Sequence, residues 1–128
     1  MNFVALDFET ATHERNSACE LGICVVENSE IAETKTWLIK PPSFPYFNPH
    51  NINVHGISHH DVADAPTFDE IWHEVEELLY GNMMIAHNAS FDASVLKEGH
   101  DCIPYSVMKR GTFTRKESMA SSPCHTPQ

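Results

Sequence analysis

Phe3-Val4-Ala5-Leu6-Asp7-Phe8-Glu9-Thr10 is the stretch on which the reading of this chain turns. Phe3 and Ala5 alternate with Val4, Leu6 and Phe8, so a strand over residues 2–8 is apolar on both of its faces. That pattern predicts a central strand covered on both sides rather than a half-solvated one. Two acids then stand two residues apart at its end. Period-two geometry places the carboxylates of Asp7 and Glu9 on one face, close enough to share a divalent ion. Acids at the end of a buried strand are costly unless a cation neutralises them. The plainer alternative is that Asp7 and Glu9 only mark the exit of the strand into a loop.

Downstream, a second strand is predicted over residues 20–27, where Leu21, Ile23 and Val25 alternate with Gly22, Cys24 and Val26. Asn28-Ser29 then turns the chain into a third strand over residues 31–39. Three strands in such close succession form an antiparallel meander. Pro41, Pro42, Pro45 and Pro49 enforce a long irregular connection. A helix is predicted from Thr67 to Tyr80, because Thr67-Phe68-Asp69-Glu70 fits a capping box and Phe68, Ile71, Trp72, Val75, Leu78 and Leu79 form one apolar stripe. Asp69, Glu70, Glu74, Glu76 and Glu77 make its solvated face. A short strand, Met83-Met84-Ile85-Ala86, and a helix from Asn88 to Glu98 follow, with Gly99 as the stop. This order implies a mixed α/β sheet. From His100 to Gln128 no hydrophobic period persists, so the expectation is a domain over residues 1–99 followed by an irregular, disordered tail over 100–128.

The second chemical motif is His87-Asn88-Ala89-Ser90-Phe91-Asp92. Asn88 can cap the new helix, and Asp92 lies one turn inside on the same side. Taken alone, Asp92 reads as a first-turn acid favoured by the helix dipole.

Composition narrows the function classes. The 128 residues are 41% hydrophobic, which suits one domain with one core. No apolar run approaches the ~20 residues that span a bilayer, and Met1 to Asp7 lacks the basic start of a secretion signal, so the N-terminus reads as mature. Cys19 and Cys24 point to opposite faces of one strand and cannot easily share a bridge; with Cys102 and Cys124 they are expected to be free thiols in a cytoplasmic protein. A formal net charge of −10 argues against a protein that coats a nucleic-acid duplex through a basic surface. It leaves room for an enzyme that grips a strand end through bound cations, since the ions then supply the positive charge.

Residues 3–10 and 87–92, in this order and with Asn53-Val54-His55-Gly56-Ile57 between them, resemble the DEDD exonucleases of the DEDDh, DnaQ-like type, the family of the DNA polymerase III epsilon proofreading subunits. The resemblance covers residues 2–98. It implies a ribonuclease H-like fold and two-metal hydrolysis, with Mg²⁺ or Mn²⁺, of phosphodiester bonds at the 3′ ends of single-stranded DNA or RNA. By the same resemblance Asp7 bridges both ions, Glu9 contacts one beside the terminal 3′-hydroxyl, and Asp92 supports the second. Thr10, His55 and Phe91 are the implied contacts of the terminal nucleotide. A DNA polymerase or other replication or repair protein is the implied partner, and no membrane is.

The sequence departs from that family after Asp92. The family places a histidine five residues before a fourth acid; here only Asp101 follows as an aspartate, Leu96 stands five residues before it, and neither His100 nor His125 has an aspartate five residues on. The last strand and helix also find no counterpart, so the expectation is a truncated domain with an uncovered sheet face and a tendency to aggregate. An inactive remnant that still binds metal or nucleic acid is the alternative function. His59-His60-Asp61 offers a further transition-metal candidate in a loop, where histidines are more usually solvated.

Overall fold

The structure, a computed structural model, describes residues 1–99 and 112–114. Asn28 and Ser29 both take left-handed backbone, with φ of 55° and 65°. A two-residue hairpin between right-twisted strands requires that conformation. β2 (Ala18–Glu27) and β3 (Glu30–Leu38) accordingly pair antiparallel from Glu20 with Leu38 to Glu27 with Glu30. β1 (Phe3–Thr10) lies antiparallel on the other side of β2, Phe3 opposite Val26 and Thr10 opposite Ala18. The expected meander is therefore present.

The chain then crosses over through α1 (Pro49–His55), α2 (His59–Val62) and α3 (Phe68–Leu79) and returns as β4 (Met83–Ile85), parallel to β1. α4 (Ala89–Gly99) follows, and β5 (Thr112–Thr114) pairs antiparallel with β4, giving the strand order β3-β2-β1-β4-β5. The sheet thus extends one strand further than the expected fold, into the stretch read as irregular tail. Thr112-Phe113-Thr114 is rich in strand-favouring residues, but three positions are too few for an alternation to be legible. The remainder of the expected tail lies outside the described residues.

One face of the sheet carries the core. Val4, Leu6, Phe8, Leu21, Ile23, Trp37 and Met84 close against Phe68, Ile71, Trp72, Val75 and Leu79 of α3 and against Val95 and Leu96 of α4. Phe8, Phe68 and Trp72 meet edge to face at 5.8 Å, the arrangement that aromatic quadrupoles favour. α3 begins at the predicted capping box, where the Thr67 N–H donates to Glu70 Oε1 at 2.8 Å.

The opposite face corrects the expectation of double cover. Phe3 and Ala5 are only half-buried, Asp7 is exposed, and Ile31 and Met83 keep 69% and 41% of their surface. An apolar strand pattern reports what the residues can bury; it does not say whether a second layer is there. The proline-rich connection needs a correction too, because it contains α1 and α2. Pro49 opens α1 at the one place where a missing N–H leaves no bond unmade. Asn48 Oδ1 accepts from the His50 N–H at 2.8 Å, and Gly56, left-handed at φ 76°, closes the helix with its N–H on the Ile52 carbonyl. Beneath this segment Ala11, Cys19, Phe47, Ile57 and Val62 form a second small core.

Candidate active site

β4 pairs only with Val4 and Ala5 of β1. Further along, the Phe8 N–H is taken instead by a side chain: it donates to Asp92 Oδ1 at 2.9 Å. Asp92 is held there by the first turn of α4, in which the Asn88 carbonyl accepts from the N–H groups of Phe91 and Asp92. Asp92 is 2% exposed. Burial pushes its carboxyl up to about 6; the charges of Asp7 and Glu9 push the same way, and the Phe8 hydrogen bond opposes them.

Asp7 and Glu9 share the open face of the sheet, as period two requires. Asp7 is exposed and Glu9 half-buried. The Glu9 carboxyl is also raised above its ordinary value, first by burial, then by Asp7, with Glu20 adding and His55 opposing. The three acids thus feel one another, although among the described residues no three His, Cys, Asp or Glu side chains form a ready-made metal cage.

The exit of β1 is irregular. Glu9 stands opposite Glu20 but Thr10 stands opposite Ala18, leaving Cys19 as the extra residue. The Thr10 carbonyl lies 2.8 Å from His55 Nε2 and accepts from Asn51 Nδ2 at 3.1 Å. Beyond it, Glu9, Thr10, Arg15, Asn51, His55 and Phe91 line a cleft of about 330 Å³. The Arg15 guanidinium stacks on the Phe91 ring at 4.8 Å.

The structure brings Asp7, Glu9 and Asp92 to the end of one strand and sets Thr10, His55 and Phe91 around a cleft beside Glu9. Asn51 and Arg15 escaped the sequence reading. Asn51 is one helical turn before His55, a signal that becomes visible only once α1 is recognised. His59, His60 and Asp61 stand in α2 and not in a loop: the two imidazoles stack at 3.9 Å, and the Asp61 carboxylate accepts from the Ser58 N–H at the start of the helix. Cys19 and Cys24 are both free thiols, and burial pushes that of Cys19 up to about 12. Among the described residues, no helix is long and apolar enough to cross a membrane.

A family model described as Exonuclease matches residues 4–116. The epsilon subunit of DNA polymerase III from Escherichia coli (strain K12) is 26% identical over 119 residues, covering 88% of this chain and 49% of that protein. The PolC-type DNA polymerase III of Caldanaerobacter subterraneus subsp. tengcongensis is 30% identical over 99 residues, 74% of this chain and 7% of the polymerase. The chain therefore spans about half the length of the epsilon subunit and a small part of the PolC-type enzyme. Among solved structures, exonuclease X in complex with 5′-overhanging duplex DNA superposes with a TM-score of 0.60 at 29% identity, covering 73% of this chain and 52% of that one. The nuclease domain of 3′hExo, a DEDDh family member bound to rAMP, gives 0.65 at 17% identity, covering 84% and 60%. The fold is the ribonuclease H-like fold of these exonucleases.

Proposed function

The chain belongs to the Exonuclease family, and on that footing we propose that it hydrolyses phosphodiester bonds at the 3′ ends of single-stranded DNA or RNA, with Mg²⁺ or Mn²⁺ held by Asp7, Glu9 and Asp92. The observation that carries the reading is electrostatic. The fold gathers three carboxylates at a strand end, and Glu9 and Asp92 hold their protons more tightly there, first because burial strips them of water and then because the neighbouring acids repel them. A divalent cation relieves that repulsion, and hard oxygen donors are the ligands Mg²⁺ and Mn²⁺ take. Mg²⁺ commonly accepts only one or two carboxylates and completes its shell with water and substrate phosphate oxygens.

Bound ions supply an activated water and charge neutralisation at the leaving 3′ oxygen. The residues of the chain do the rest. Asp7, exposed on the open face, would be a ligand of the bound ions. Glu9 reaches from the same face towards the terminal 3′-hydroxyl, and Asp92 presents the oxygen that the Phe8 N–H does not use. The cleft between Thr10, His55 and Phe91 takes the terminal nucleotide, and Arg15 brings a positive charge to its mouth. Resemblance to the epsilon subunit makes a DNA polymerase the partner to test first, and the free thiols of Cys19 and Cys24 suit a cytoplasmic setting.

A second reading is favoured by one specific observation: no histidine stands five residues before an aspartate anywhere after Asp92. On that reading the chain is an inactive remnant that keeps metal or nucleic-acid binding. Release of mononucleotides that needs Mn²⁺ or Mg²⁺ and is abolished by Asp7→Ala supports the enzyme. Mn²⁺ binding without release supports the remnant.

A further inference from the structure

Thr10 ends β1 where β2 carries one residue too many. A bulge takes ladder groups away from their regular partners, and a buried carbonyl must then find donors elsewhere. Here two side chains of a single helix provide them. His55 Nε2 is 2.8 Å from the Thr10 carbonyl and Asn51 Nδ2 is 3.1 Å from it; four residues apart, they share one face of α1. The other ring nitrogen of His55 fixes where the proton sits. The Ile57 N–H donates to Nδ1 at 3.0 Å, so Nδ1 is the acceptor and Nε2 carries the hydrogen that goes to Thr10. Both nitrogens are therefore engaged by backbone, and the ring has none left for an ion or a nucleotide. Asn51 is committed in the same way, its amide also reaching the Thr12 carbonyl at 3.2 Å.

We propose that His55, seconded by Asn51, is a positioning residue: it bolts the Thr10 carbonyl and thereby holds the adjacent Glu9 carboxylate where the divalent ion binds. The inference rests on the reading of Glu9 as a metal ligand given above. It also revises the role that family resemblance implies for His55, from nucleotide contact to support of a ligand. Glu9 needs such support because Asp7 on its own strand and Glu20 on β2 both repel it. A loosened strand end lets the carboxylate swing into water.

The test is Mn²⁺ affinity, read by water-proton relaxation on the full chain. Two substitutions divide the two hydrogen bonds of the ring. His55→Gln places an amide N–H where Nε2 stood and keeps the bond to Thr10. His55→Asn reaches only as far as Nδ1, so it keeps the bond from Ile57 and loses Thr10. Loss of a residue that orients a ligand typically costs about 10- to 100-fold in metal affinity. His55→Asn is expected to weaken Mn²⁺ binding by that much while His55→Gln stays within about threefold of the natural chain. Should His55→Asn fail to fold, Asn51→Ala removes the companion bond and is expected to weaken binding in the same direction. Equal affinities for the Gln and Asn variants, or unchanged affinity in a folded His55→Asn or Asn51→Ala, overturn the inference and leave the metal site standing. If Asp7→Ala binds Mn²⁺ as well as the natural chain does, the metal reading falls, and this inference with it.

Discussion

Replacing Asp92 by asparagine should stabilise the metal-free protein at neutral pH, although it removes a residue assigned to the site. Asp92 is 2% exposed, its Oδ1 accepts from the Phe8 N–H, and its ordinary value of 3.8 is raised to about 6. The folded state therefore binds this proton more tightly than the unfolded chain does. Stability from that difference is complete below about pH 4 and is lost as pH rises towards about 6. At about 1.4 kcal/mol per tenfold change in proton affinity, the rise amounts to about 3 kcal/mol. Asparagine keeps an oxygen for Phe8 and is neutral at every pH, so it recovers up to about that much at pH 7.5 and about 1 kcal/mol at pH 4.5. For a domain of this size the gain corresponds to roughly 10–15 °C in Tm. The assay is thermal unfolding followed by circular dichroism, with EDTA, from pH 4.5 to 8. Natural and substituted chains should converge at low pH and separate as pH rises. Parallel curves, or an asparagine variant less stable at pH 7.5, would refute the account of Asp92 as a strained, uncompensated acid.

Other consequences are simpler to check. Saturating Mn²⁺ should raise the Tm of the natural chain, by about 2.7 kcal/mol of stability at a hundred times Kd, and should leave Asp7→Ala unmoved in the same differential scanning experiment. Leu79→Ala, at a position 1% exposed between α3 and the sheet, should cost about 2–5 kcal/mol in urea unfolding; a loss below 1 kcal/mol would contradict the packing described. Ile31→Lys, at a site 69% exposed on β3, should reduce concentration-dependent light scattering without lowering Tm, because it charges an exposed apolar residue of an edge strand. Unchanged scattering would mean that the open face is not where molecules adhere.

What the sequence disclosed follows from the strength of each periodic signal. β1, the meander, α3 and the turn into α4 were legible because alternation or a capped apolar stripe runs for a full element in each. Asp7 and Glu9 were legible as a pair because two residues of strand leave no choice of face. α1 was hidden because Pro49 punctuates the chain as a breaker would, and only its place in the first helical turn reverses that meaning. With α1 hidden, the shared face of Asn51 and His55 was hidden as well, and so was the grip of that helix on Thr10. The open face was read two ways, as covered from the apolar pattern of β1 and as uncovered from the absence of a last helix. Phe3 and Ala5 look like core residues in the sequence, and burial depends on a layer that lies elsewhere in the chain or beyond it. Asp92 was read as a first-turn acid, and it is one, but its bond to Phe8 depends on β4 pairing with β1 no further than Ala5.

The central claim is that Asp7, Glu9 and Asp92 hold divalent ions for cleavage at a 3′ end. Its most direct test is incubation of a 5′-labelled single-stranded oligonucleotide with the chain in Mn²⁺ or Mg²⁺, beside EDTA and Asp7→Ala controls. The account predicts metal-dependent shortening from the 3′ end, one nucleotide at a time, absent from both controls. A folded chain that leaves the oligonucleotide intact, or that shortens it equally with Asp7 replaced, contradicts it.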